Sequence, residues 1–157
     1  MTTELAQPKN ILDRVAIWCA TYLIFVILCL GLLLSRYTGL LLLILPVFLA
    51  WLFAFLLQLA FHRRRPFQNG EKALIKMLWE TPSFPSAHTA IASAIAYVYL
   101  FDGEPFAPLF VLSAVLMAWS RVRVRVHYPT DTLVGALVGF LAVYAAVWIL
   151  LSTGIID

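Results

Sequence analysis

Charge is scarce in this chain. Of 157 residues, 12% are Asp, Glu, Lys or Arg, while 63% are hydrophobic. A water-soluble domain of this size needs far more polar surface, so the expectation is a single integral membrane domain over residues 1–157. The net charge is only +3, and the basic residues abut apolar runs. No soluble face is left to carry a duplex, which argues against nucleic-acid binding. Cysteine is nearly absent as well. Cys19 and Cys29 fall in one expected helix, about 15 Å apart along its axis, too far for a disulfide. Histidine is limited to His62, His88 and His127. The carboxylates are scattered and no HExxH or paired-Asp pattern occurs, so neither a metal nor another cofactor is expected. There is no internal repeat and no low-complexity segment. The first apolar run lacks a small-residue cleavage site and is expected to be retained as a span, not removed as a signal peptide.

What the chain has in abundance is long apolar segments. They predict an all-α, polytopic bundle of about five spans: Val15 to Leu34, Gly39 to Phe61, Ser86 to Phe101, Pro105 to Trp119 and Thr132 to Leu151. The third and fourth are short for a hydrocarbon core of about 30 Å. They can recruit flanking polar residues if those face the bundle interior. Ser35 to Thr38 and Asp102 to Glu104 are expected to be tight turns, and 61–85 is the one long loop. In its middle, Glu71 to Glu80 carries Ala73, Leu74, Met77 and Leu78 at helical spacing, with Lys72 and Lys76 among them. That pattern predicts either a short helix lying in the interface or a basic loop touching headgroups.

Five alternating spans put the N-terminus, the 61–85 loop and the connection after span four on one membrane face. Arg65, His88, Arg121, His127 and Asp131 all lie at or near that face. His88 and His127 flank a helical hairpin turning near Gly103, so the two imidazoles can meet although they are remote in sequence. Histidine and arginine are costly in or near hydrocarbon and are seldom placed there without a task.

His127 and Asp131 stand four apart with Pro129 between them, and Pro129 suits the first turn of span five. Asp131 could accept a hydrogen bond from one ring nitrogen of His127, fixing the tautomer and leaving the other nitrogen to attack. The alternative is an Asp that caps a helix beside an interfacial His. His88 follows Pro85-Ser86-Ala87 at a helix start, where unpaired backbone N–H groups attract anions. There it could protonate a departing oxygen, or Ser86 could simply cap the helix. Arg65 and Arg121 supply planar forks matched to phosphate oxygens. Arg63 and Arg64 read as membrane-surface charges. Arg123 and Arg125 share a face with Arg121 if their segment is extended and diverge from it if helical.

These blocks resemble the type 2 phosphatidic acid phosphatase superfamily, which includes membrane lipid phosphatases. Its signatures are Lys followed after six residues by Arg-Pro, then Pro-Ser-Gly-His, then Ser-Arg with His and Asp at fixed spacing. The third is complete at Ser120, Arg121, His127 and Asp131. The second reads Pro85-Ser86-Ala87-His88, with alanine for glycine. The first keeps Arg65-Pro66 but has Gln58 in place of lysine, and Arg64 or Arg63 could replace the missing charge. The resemblance covers about residues 50 to 140. It implies that His127 is a nucleophile forming a phosphohistidine, oriented by Asp131, and that His88 is the acid for the leaving group. It also implies that Arg65, Ser86 and Arg121 cradle the phosphate, with the Ala87 N–H joining them and Gln58 or Arg64 as further candidates.

The compact chain and its Arg-Pro-Phe run resemble small bacterial undecaprenyl pyrophosphate phosphatases of that superfamily. The resemblance implies a lipid phosphate substrate and a site at the outer face of the cytoplasmic membrane. Phosphatidic acid, phosphatidylglycerol phosphate and phosphoribosyl-polyprenol phosphatases share the motifs. The basic residues crowd the site's face, with Arg36 alone on the other, and by the positive-inside rule that face would be cytoplasmic. Several of these arginines are site residues, however, so the outer orientation is the expectation. A phosphotransferase would share the first half-reaction. A non-catalytic lipid-binding or transporting relative would need the arginines but not a paired acid and nucleophile.

Overall fold

The computed structural model describes residues 5–35, 39–77 and 81–156. Its framework is five helices: α1 (Ile11–Leu34), α2 (Leu40–Phe61), α3 (Ala87–Phe101), α4 (Ala107–Arg123) and α5 (Pro129–Ser152). No strand occurs among the described residues. The helices fall where the apolar segments predict them. Their ends follow local chemistry. The Asn10 side chain accepts from the Asp13 N–H to start α1, and a proline stands in the first turn of α4 and of α5, where the missing donor costs nothing.

Ile11–Leu34, the run from Leu40 through Asn69, and Pro129–Ser152 are long and apolar enough to cross a membrane. α3 and α4, at 15 and 17 residues, are the shorter pair that the sequence also shows. The outer faces expose Phe25, Leu33, Phe48, Leu133, Tyr144 and Trp148, as lipid-facing surfaces should. The chain is a multi-pass membrane protein.

α3 is the central helix and packs on α2, α4 and α5. It can do so because it is built of small residues: Ala90, Ala92, Ala94, Ala96 and Ser93 are all buried. Lipid tails are as apolar as leucine, so helices in a bilayer gain by close backbone approach, not by escape from water. The closest approach is at α5. A Cβ on Gly135 would lie 2.7 Å from the Ser86 carbonyl oxygen, and one on Gly139 would lie 2.5 Å from that of Ala90. These two glycines, four apart, seat the start of α5 against the start of α3, which brings His88 and Asp131 to one level.

The predicted interfacial helix is not formed over 71–77; Leu78, Trp79 and Glu80 lie outside the described residues. The backbone groups a helix would need are spent on tertiary partners. The Ala73 carbonyl accepts from Ala6 N–H, and Leu74 N–H donates to the Val124 carbonyl. Ala73 is buried with Ala16, Ala20, Val124 and Val126 in a small cluster beneath the loop. The apolar spacing thus serves a strap across the bundle's end. That end gathers the N-terminal segment, the 61–85 loop and the α4–α5 connection, as alternating spans require.

Candidate active site

His127 stands in the short connection between α4 and α5, and only 3% of it is exposed. Its Nδ1 is 2.8 Å from the Ser83 carbonyl oxygen and 3.5 Å from Asp131 Oδ2. A carbonyl can only accept, so Nδ1 carries the ring proton and Nε2 is left with a lone pair. The tautomer expected from the sequence is therefore present, but the Ser83 carbonyl sets it more closely than Asp131 does. Burial, together with the guanidinium groups of Arg121 and Arg65, pushes the ring's pKa down to about 3 despite the opposing pull of Asp131. The free imidazole is neutral.

Arg65 faces Nε2. Its Nη1 lies 3.2 Å from that nitrogen and donates to the Val126 carbonyl at 2.9 Å. Its Nε donates to the Thr81 carbonyl at 2.8 Å and its Nη2 to Thr81 Oγ1 at 2.9 Å. The guanidinium is 2% exposed and held by a rim of loop carbonyls. Its backbone starts a 3-10 turn, Pro66–Asn69, through the Gln68 side chain.

Asp131 is wholly buried in the first turn of α5. Its Oδ1 accepts from Arg63 Nη1 at 2.8 Å, and its Oδ2 accepts from the Tyr128 N–H at 2.8 Å and from the Ser83 hydroxyl. The capping alternative is thus fulfilled, while Asp131 stands near the His127 ring at 3.5 Å without taking the closest contact to Nδ1. Arg63 is more than the surface charge its sequence context suggests, although its side chain stays 39% exposed. It bridges Asp131 and Thr130 and lies 4.1 Å over the Tyr128 ring.

His88 sits in the first turn of α3, within electrostatic reach of Arg121, His127 and Arg65. The α3 start is tied to α5 by the Ser86 N–H, which donates to the Asp131 carbonyl at 2.9 Å. Ser86 occupies the cap position, but its hydroxyl does not cap the helix; it accepts from Thr89 Oγ1 at 3.1 Å. Ala87 opens the helix, so its N–H is one of those a helix start leaves for other partners.

Arg121, in the last turn of α4, is 3% exposed. Its Nη1 donates to the Ala20 carbonyl of α1 at 3.1 Å, within the π-helical turn Cys19–Leu23. Its Nε is buried with no hydrogen-bond partner among the described residues. An orphaned buried donor calls for an explanation, and an anion supplies one. Arg123 and Arg125 diverge from it: Arg123 pairs with Asp13 at 2.9 Å, and Arg125 donates to the Lys72 carbonyl.

Two expected phosphate contacts are placed otherwise. The Gln58 Nε2 donates to the Pro85 carbonyl at 2.8 Å, so its amide supports the Ser86-Ala87-His88 helix start. Arg64 is exposed; Arg63 turns toward Asp131 instead. Sequence reasoning missed Ser83, Thr81 and the Ala20 carbonyl. All three act through backbone oxygens, which every residue type carries. No three His, Cys, Asp or Glu side chains gather into a metal-binding group among the described residues.

The sequence profile of the PAP2 superfamily matches residues 39–153. The chain is 33% identical over 91 residues to undecaprenyl-diphosphatase BcrC of Bacillus subtilis, covering 55% of this chain and 47% of that protein. It is 36% identical over 95 residues to decaprenylphosphoryl-5-phosphoribose phosphatase of Mycobacterium tuberculosis, covering 59% and 50%. It thus spans about half the length of these relatives. The crystal structure of Aquifex aeolicus LpxE superposes with a TM-score of 0.71 at 28% identity, covering 89% of this chain and 87% of that one.

Proposed function

The chain belongs to the PAP2 superfamily, and from that premise we propose that it is a membrane lipid phosphatase working through a phosphohistidine on His127. The observation that carries this reading is the His127 ring. Its Nδ1 proton is directed at the Ser83 carbonyl, so Nε2 offers its lone pair beside a buried guanidinium.

The substrate's phosphate lies between Arg65, Arg121 and the start of α3, where the Ser86 hydroxyl and the Ala87 N–H add donors. Nε2 of His127 attacks phosphorus, and the bond from phosphorus to the leaving oxygen breaks. That oxygen takes the electron pair and a proton from His88. Positive charge on the phosphorylated ring is balanced by Asp131. Water, giving its proton back to His88, then attacks phosphorus. The P–N bond breaks, its electrons return to Nε2, and inorganic phosphate leaves. The arginines stabilise the charge-rich transition state of both steps.

The substrate we infer is undecaprenyl pyrophosphate, cleaved to undecaprenyl phosphate at the outer face of the cytoplasmic membrane. It is supported by the relative named undecaprenyl-diphosphatase and by a site at the bundle's end, where a tail stays in lipid while its phosphate enters.

The test is phosphate release from purified protein. His127→Ala is expected to abolish it while the protein still inserts, EDTA to leave it unchanged, and vanadate, a mimic of five-coordinate phosphorus, to inhibit. Full activity of His127→Ala overturns the mechanism. In a competition panel with phosphatidic acid, phosphatidylglycerol phosphate and phosphoribosyl-polyprenol phosphate, a preference for any of these over the polyprenyl pyrophosphate overturns the substrate.

A further inference from the structure

Ser83 belongs to none of the motif blocks, yet it touches three members of the site. It is wholly buried. Its N–H donates to the Arg63 carbonyl at 2.8 Å, its carbonyl faces His127 Nδ1 at 2.8 Å, and its hydroxyl donates to Asp131 Oδ2. From this geometry we propose that Ser83 is a positioning residue of the reaction, holding the nucleophile and its carboxylate partner in register through two chemically separate groups. The proposal rests on the phosphohistidine reading above.

The two groups do different work. The carbonyl fixes the tautomer, and any side chain at position 83 would leave that intact. The hydroxyl acts on Asp131. It has one proton, and it gives it to Oδ2, the same oxygen that lies 3.5 Å from the ring. With Arg63 on Oδ1 and the Tyr128 N–H also on Oδ2, the carboxylate is pinned on both sides. It stands close to the ring without holding its proton. When Nε2 bonds to phosphorus the ring becomes cationic, and a carboxylate already fixed at that distance stabilises it without reorganising.

Ser83→Ala therefore removes the pin and keeps the tautomer. We expect kcat to fall about tenfold to a hundredfold, as when other buried supporting partners are lost, with KM changed less than about threefold. Ser83→Thr, which keeps the hydroxyl, should restore most of the rate. The decisive measurement is a double-mutant cycle with Asp131→Asn. Because Ser83 acts through Asp131, Ser83→Ala should cost little further in that background. Where turnover of Asp131→Asn is too low, the affinity for vanadate, measured as direct binding to the purified protein, replaces kcat as the readout. A merely packed serine would instead give additive losses and a lowered unfolding temperature. Ser83→Cys, nearly isosteric with a weak donor, stands in if the alanine variant fails to fold. Wild-type kcat in Ser83→Ala, or additivity in the cycle, overturns the proposal. The parallel His127→Ala control separates the two levels: activity there sinks the phosphohistidine reading itself, whereas its loss beside a fully active Ser83→Ala sinks only this inference.

Discussion

Arg65 Nη1 and His127 Nε2 are 3.2 Å apart in the free protein, so the guanidinium donates to the lone pair proposed to attack. An incoming phosphate offers Arg65 stronger, charged acceptors. Binding thus draws the donor off Nε2 as it brings phosphorus near. The fork geometry matters here, because the other nitrogens are anchored on Thr81. Arg65→Lys keeps the charge but loses the anchor and the second prong. It should lower kcat/KM by about 10²- to 10³-fold, the range for removing one fixed donor. Steady-state phosphate release checks this, and retention of more than half the wild-type value would contradict it.

His127, with its pKa pushed down to about 3, is neutral throughout the physiological range. Lowering the pH through the ordinary histidine value does not protonate it, so its lone pair survives acidification. In ¹⁵N-histidine spectra of the free protein, the His127 ring should keep the Nδ1–H pattern between about pH 5 and 8. A midpoint inside that window would refute the neutral, shielded ring.

Gly139 permits the α3–α5 contact. A Cβ there would meet the Ala90 carbonyl oxygen at 2.5 Å and the Ala94 nitrogen at 2.8 Å. Both are helix backbone and cannot step aside alone. Gly139→Ala should destabilise the protein by about 1–3 kcal/mol through overpacking. It should also reduce activity, because the α3 and α5 starts part. Thermal unfolding in detergent measures the first effect and phosphate release the second.

Gln58, standing where the family pattern has lysine, bonds the Pro85 carbonyl. Gln58→Leu leaves that buried acceptor unpaired, at a cost of about 1–3 kcal/mol. It should lower the unfolding temperature and kcat together. Gln58→Lys keeps a donor and should lose less of both. Equal losses for the two variants would show that the hydrogen bond is not what matters.

Orientation is testable by labelling. Gly70 and Gly103 both have positive φ, so single cysteines belong at exposed Lys76 and Asp102, in a background lacking Cys19 and Cys29. With the site facing outward, an impermeant reagent applied to intact cells should modify position 76 and spare 102. The reverse pattern places the site in the cytoplasm.

The apolar runs by themselves determined the five helices and their order, because a bilayer leaves a long apolar stretch almost no alternative to a helix. The loop between α2 and α3 was less legible. Its helical spacing of Ala73, Leu74 and Met77 was real, but Ala6 and Val124 captured the backbone groups a helix would have used, and those partners are remote in sequence. At the site, the spacing of His127 and Asp131, the histidine after Pro85-Ser86-Ala87, and the two arginines marked the chemistry, since titratable groups beside hydrocarbon need a reason to be there. Only the tertiary structure decided which atoms serve which. It aimed the His127 Nδ1 proton at the Ser83 carbonyl, turned Arg63 toward Asp131 while leaving Arg64 exposed, and set Gln58 to hold a backbone carbonyl. Those choices depend on oxygens brought together by chain packing, the Ser83 and Pro85 carbonyls and the Asp131 carboxylate among them, and the residue alphabet does not say which groups will meet.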